Sequence, residues 1–129
     1  MATIEEDYVS FETAKLLKEK GFPQSTFRCH YIIDVNSHYK SFENRCGFGD
    51  YDIIAPTLAM AMKWLREKHN IVVEPFIREG AEYVWFIHRI ETMFNKKYLV
   101  FCWGSKNTKY ERYEQACEAA IKYCLENLI

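Results

Sequence analysis

The sequence predicts an α+β fold, a mostly antiparallel sheet packed by three helices in the order α-β-β-α-β-β-β-α. Three observations carry this expectation. Apolar residues recur at helical spacing in three separate stretches. Other stretches are dense in β-branched and aromatic residues and are bounded by turn formers. The two kinds do not alternate regularly, as a doubly wound nucleotide fold would require.

The first helix is predicted over about residues 11–20. Ser10 can accept a bond from a free backbone N–H of the first turn, and Phe11, Ala14 and Leu17 then form one apolar stripe. Gly21-Phe22-Pro23 ends it, because Gly adopts the left-handed conformation, Phe folds back and Pro cannot continue a helix. Residues Thr26 to Asp34 read as a strand, Val35-Asn36-Ser37 as a turn, and His38 to Asn44 as the returning strand. Cys46-Gly47-Phe48-Gly49-Asp50 reads as a loop.

A second helix is expected to start near Thr57, just after Pro56, with Leu58, Ala61, Met62 and Leu65 on one face. Met60 and Trp64 widen that face, and His69-Asn70 terminates it. Three strands follow: Ile71 to Ile77, Ala81 to Ile90 and Lys97 to Trp103. In the middle strand Tyr83, Trp85 and Ile87 occupy one parity, and Val84, Phe86, His88 and Ile90 the other. Alternate side chains point to opposite faces, so both faces are apolar and water is expected to be kept off each. A helix, a long loop or a second copy of the chain would cover the second face. For the last helix, Thr108-Lys109-Tyr110-Glu111 has the form of a capping box. Tyr113, Ala116, Cys117, Ala120, Ile121, Cys124, Leu125 and Leu128 then line one side, with Glu118 and Lys122 as an outer i, i+4 pair.

At 129 residues the chain fits a single domain, 1–129, and its 49% hydrophobic and 27% charged composition is that of a globular protein. A net charge of −1 argues against generic nucleic-acid binding, which draws its affinity from phosphate neutralisation. The acidic start, Glu5-Glu6-Asp7, lacks the features of a signal peptide, and the apolar stretch Ile53 to Met62 is too short for a membrane helix. Five cysteines without a C-x-x-C pair argue against a disulfide framework and a zinc knuckle. Cytoplasmic localisation is the expectation.

Three segments resemble a known family. They are Ser10-Phe11-Glu12-Thr13-Ala14-Lys15-Leu16-Leu17-Lys18-Glu19-Lys20-Gly21-Phe22, the run from Pro56 to His69, and the run from Tyr113 to Ile129. In sequence and order they resemble short, uncharacterised proteins found in gut bacteria and their phages. The resemblance covers the helices alone, implies a shared fold, and brings with it no activity and no functional residue.

No catalytic residue, metal ligand or cofactor is assigned by spacing. Cys29, Cys102, Cys117 and Cys124 are expected in the core, leaving Cys46 as the thiol expected at the surface. A nucleophilic Cys46 would need a base that the sequence does not supply. His30, His38, His69 and His88 lack ligand spacing with Cys46 or Asp50 and are expected to be structural or solvent-facing. Asp50 and Asp52 could form an acid/base pair only by a geometry that sequence does not show. Gly104-Ser105-Lys106 lacks the upstream glycine of a phosphate loop. Residues 9–17 look like the opening of a helix-turn-helix, but Gly21-Phe22-Pro23 leads into a strand instead.

Two binding surfaces remain as expectations. Tyr83 and Trp85 mark an interface through which the protein would self-associate as a homodimer, acting as a non-catalytic binding protein. Alternatively, Lys106, Lys109 and Arg112 beside Trp103 and Tyr110, with Lys96, Lys97 and Tyr113 nearby, would hold a nucleotide-like anionic small molecule by charge and stacking.

Overall fold

A computed structural model of the protein describes residues 4–24, 29–44, 52–105 and 108–129. The elements run α-β-β-β-α-β-β-β-α, and every strand pairing is antiparallel. The mixed α+β class is therefore as predicted, with two differences. A short additional strand lies before the second helix, and the strands form two three-stranded sheets rather than one. The chain divides into two compact units, Met1–Thr57 and Leu58–Ile129, and each has its own sheet.

In the first unit, helix α1 (Phe11–Glu19) begins where Ser10 places its hydroxyl to accept from Thr13 N. It ends in a paired-bond motif: Phe22 N donates to Leu17 O at 2.9 Å and Gly21 N to Lys18 O at 3.2 Å. That geometry needs Gly21 at φ +94°, a conformation costly for any residue with a Cβ, and it folds Phe22 back into the core. Strands β1 (Cys29–Ile33) and β2 (Tyr39–Asn44) form the expected hairpin. The carboxylate of Asp34 accepts from Asn36 N and His38 N, and Ser37 takes the positive φ that the turn demands. These backbone bonds, His38's first, hold the Asp34 carboxyl below its ordinary pKa. Residues 26–28, expected to begin β1, lie outside the described residues.

Strand β3 (Asp52–Ile54) pairs with the other edge of β1 and is buried throughout. Gln24 ties it to the end of α1, its Oε1 accepting from Ile54 N while its Nε2 donates to Phe22 O. Five rings, Tyr8, Phe11, Tyr31, Tyr39 and Phe42, meet at tilted and edge-to-face angles. The Tyr31 hydroxyl donates to Val9 O, anchoring that cluster to the backbone.

In the second unit, helix α2 (Leu58–His69) buries Leu58, Ala61, Trp64 and Leu65 and stops at Asn70, which takes φ +55° as a left-handed terminator. Strands β4 (Ile71–Arg78), β5 (Glu82–Met93) and β6 (Lys96–Gly104) follow as a meander. Helix α3 (Tyr113–Asn127) buries Ala116, Cys117, Ala120, Ile121, Cys124 and Leu125 of the predicted stripe, while Tyr113 at its start is exposed and Leu128 at its end is half-buried. Ile121 and Leu125 are wholly buried, worth about 2 kcal/mol of transfer free energy apiece.

The capping box expected at Thr108–Glu111 does not form. Tyr110 instead exchanges two backbone hydrogen bonds with Tyr83, each of 2.8 Å, so its backbone is committed to the sheet. The helix starts only at Tyr113, after an extended Arg112 whose N–H donates to Gln115 Oε1 at 3.1 Å. A guanidinium has no acceptor, so the reciprocal half of a capping box is chemically closed to Arg112.

Both outer strands of this sheet carry an irregularity. On β6 the register slips where Arg89 pairs with Phe101 and Ile90 with Leu99, leaving Val100 as a bulge. On β4, Pro75 is in register with Trp85, whose N–H and C=O are taken by Ser105 on the β6 side. Pro75 therefore directs its nitrogen to the outer rim, where no ladder bond is lost.

Candidate functional site

Register assigns every side chain of the second sheet to a face. Tyr83, Trp85, Ile87 and Arg89 face the helices. Trp85 meets the ring of Tyr123 at 5.1 Å, Tyr83 meets Tyr113 at 6.1 Å, and the Arg89 guanidinium donates to Leu128 O at 2.8 Å. Ile71 and Val73 on β4 share this side and are buried.

The opposite face carries Val84, Phe86, His88 and Ile90 from β5, Glu74 and Phe76 from β4, and Leu99 from β6. Val84 is buried, but Phe76 is 57% exposed, Phe86 39% and Leu99 63%. The rings of Phe76 and Phe86 meet edge-to-face at 6.3 Å. Beside them, Glu74 Oε2 lies 3.0 Å from His88 Nε2. The expectation that water is kept off both sides of β5 thus fails on the Phe86 side of the single chain. Large exposed rings clustered on one sheet face are the usual mark of a binding surface.

The residues expected at an interface, Tyr83 and Trp85, are placed on the helix-covered face, and Trp85 is only 6% exposed. Its indole Nε1 is buried with no hydrogen-bond partner among the described residues. Phe86, one position along, is the ring that the strand presents outward.

The expected anion patch is dispersed. Lys106 lies outside the described residues. Lys109 Nζ lies 3.2 Å from Glu82 Oε2, and Arg112 lies 3.5 Å from the Glu114 carboxylate, so both cations already face acids. Trp103 is stacked beneath Arg89 at 6.0 Å, while Tyr110 is held in its bridge with Tyr83, four β5 positions from Trp103's partner Ile87. With α3 beginning at Tyr113, Lys109 also lies outside its first turn.

Among the cysteines, Cys29, Cys117 and Cys124 are buried as expected, and burial pushes the Cys124 thiol up to about 12. Cys102 is exposed, against the core placement read from its strand, because it falls on the outer parity of β6. Cys46 and Asp50 lie outside the described residues. Among the histidines, His30 is buried against Asp52, and His38 is exposed beside Asp34. His69 packs its ring on Trp64 at 4.7 Å, and burial, then the charge of Arg89, lowers its pKa. No group of three His, Cys, Asp or Glu is placed to hold a metal ion among the described residues.

Sequence reasoning missed the exposed residues of the β5–β6 hairpin. Its two-residue turn, Phe94-Asn95, has both members at positive φ (51° and 62°), and Phe94 is 94% exposed. The available signal was an aromatic residue at a turn position that ordinarily takes Asn, Asp or Gly.

Fold and surface together define an α+β protein with a solvent-exposed aromatic sheet face. No family model, curated protein or solved structure matches the chain. Among the described residues no helix is long and apolar enough to cross a membrane.

Proposed function

We propose that this chain is a non-catalytic binding protein of the cytoplasm that self-associates as a homodimer through the outer face of its second sheet. The observation that carries the reading is the Phe76–Phe86 pair, two contacting rings both left open to water on a regular strand face. Association removes such surface from water at about 25 cal/mol per Å2, and a sheet face is a flat, rigid platform on which a second one can pack. The resemblance to short proteins of gut bacteria and their phages rests on helix motifs, so it adds a phage-related setting to the proposal and no chemistry. Capture of a nucleotide-like anion is the weaker reading, because Glu82 and Glu114 already face the cations it needs.

Sedimentation equilibrium across the micromolar range tests the proposal. The expected result is a reversible dimer that Phe86→Asp converts to a folded monomer with an unchanged circular-dichroism spectrum. A wild-type protein that stays monomeric at 100-fold dilution and at high concentration alike overturns it.

A further inference from the structure

The β5–β6 hairpin outruns the rest of its sheet. The last β4 pairing is Ile71 with Arg89, yet β5 and β6 continue paired through Ile90–Leu99, Glu91–Tyr98, Thr92–Lys97 and Met93–Lys96. This two-stranded ribbon carries exposed Met93, Phe94, Tyr98, Leu99 and Val100. A ribbon of two strands has little stability of its own in water, and nothing local rewards a bulky ring at φ +51° with its side chain 94% exposed. The turn would be more stable with Asn or Gly in that place.

We infer that the ribbon is an arm that lies across the same sheet face of a second copy of this chain, with Phe94 as its anchor. The inference rests on the self-association proposed above and states how that surface is completed. Three observations favour a second copy as the occupant. Ile90 and Leu99 share the face of Phe86, so arm and face form one continuous surface. The face is self-complementary in charge, because Glu74 is level with Phe86 and Lys97 is level with Thr92, both on this side. A two-fold axis lying across the strands midway between those levels brings Lys97 of one copy to the level of Glu74 of the other. The same axis carries Phe94 to the level of Val84 and Phe76. Finally, the exposed side chains of Phe76, Phe86, Phe94 and Leu99 amount to roughly 500 Å2 per chain, well over half of the ~800 Å2 per partner in a stable interface. Glu74, Thr92 and Lys97 supply its polar rim.

The arm is tested with Phe94→Asn, which relieves the turn. In dilute monomer its melting temperature is expected to equal or exceed that of the wild type, while the dimer Kd rises roughly 10- to 100-fold, the effect of losing a central aromatic anchor. Lys97→Glu and Glu74→Lys are each expected to weaken the dimer, and the double exchange to restore it. A wild-type dimer indifferent to Phe94→Asn and to the charge exchange overturns the arm alone and leaves the face reading standing. A monomeric wild type overturns both. A monomer that co-sediments with phosphatidylserine vesicles, and loses this with Phe94→Asn, assigns the arm to lipid and overturns the inference.

Discussion

The Nδ1 atom of His30 lies 3.2 Å from Asp52 Oδ2, and both side chains are almost entirely withdrawn from solvent. They sit two register positions apart on adjacent strands, since His30 pairs with Ile54 and Asp52 with Ile32. Removing one member of a buried pair strands the other without its counterpart. Asp52→Ala is therefore expected to cost about 3 kcal/mol in urea unfolding. Replacing both residues by leucine is expected to recover most of that loss.

Gly21 gives a second, smaller effect. A Cβ there would touch nothing within 4 Å, so the cost of Gly21→Ala is the backbone conformation alone. About 1 kcal/mol is expected, a fall of several degrees in Tm. Phe22→Ala removes the buried ring that the same motif folds inward and is expected to cost about 3 kcal/mol.

His69 sets an acid limit. It stands in the last turn of α2, where the helix end favours a cation, but burial and the Arg89 charge outweigh this and lower its pKa below the ordinary 6.5. The unfolded chain then takes up the proton first. The stability contributed by neutral His69 is present above pH 6.5 and is lost as the pH falls towards its folded pKa. NMR titration should show its midpoint below 6.5, and His69→Gln should flatten that part of the stability–pH profile.

Thiol reactivity should follow exposure. Among the described cysteines, Cys102 is expected to be alkylated first in the native protein. Cys124, whose thiol is pushed up to about 12 by burial, should react only on unfolding. Mass spectrometry of timed iodoacetamide reactions reads both rates.

Much of the fold was legible because its signals are local. Asn70, Gly21 with Phe22, and the Asp34-to-His38 turn each fix their own backbone by chemistry carried within a few residues. What sequence misread depended on distant partners. Strand β3 is three residues inside an apolar run that leads straight into α2, and only its pairing with β1 identifies it. The cap at Thr108 was a sound local pattern, overridden by the bridge between Tyr83 and Tyr110. The two apolar parities of β5 do not say which one the helices cover, so the sequence alone does not distinguish Trp85, which is covered, from Phe86, which stays exposed.

Pro75 bears on what this protein cannot become. With no amide hydrogen at mid-strand, β4 makes a poor template for an incoming strand, and the Val100 bulge spoils the opposite border in the same way. Both borders of this sheet therefore resist pairing with an incoming strand. The self-association proposed above, through a sheet face rather than a border, would be satisfied by a single companion and would stop at a closed pair.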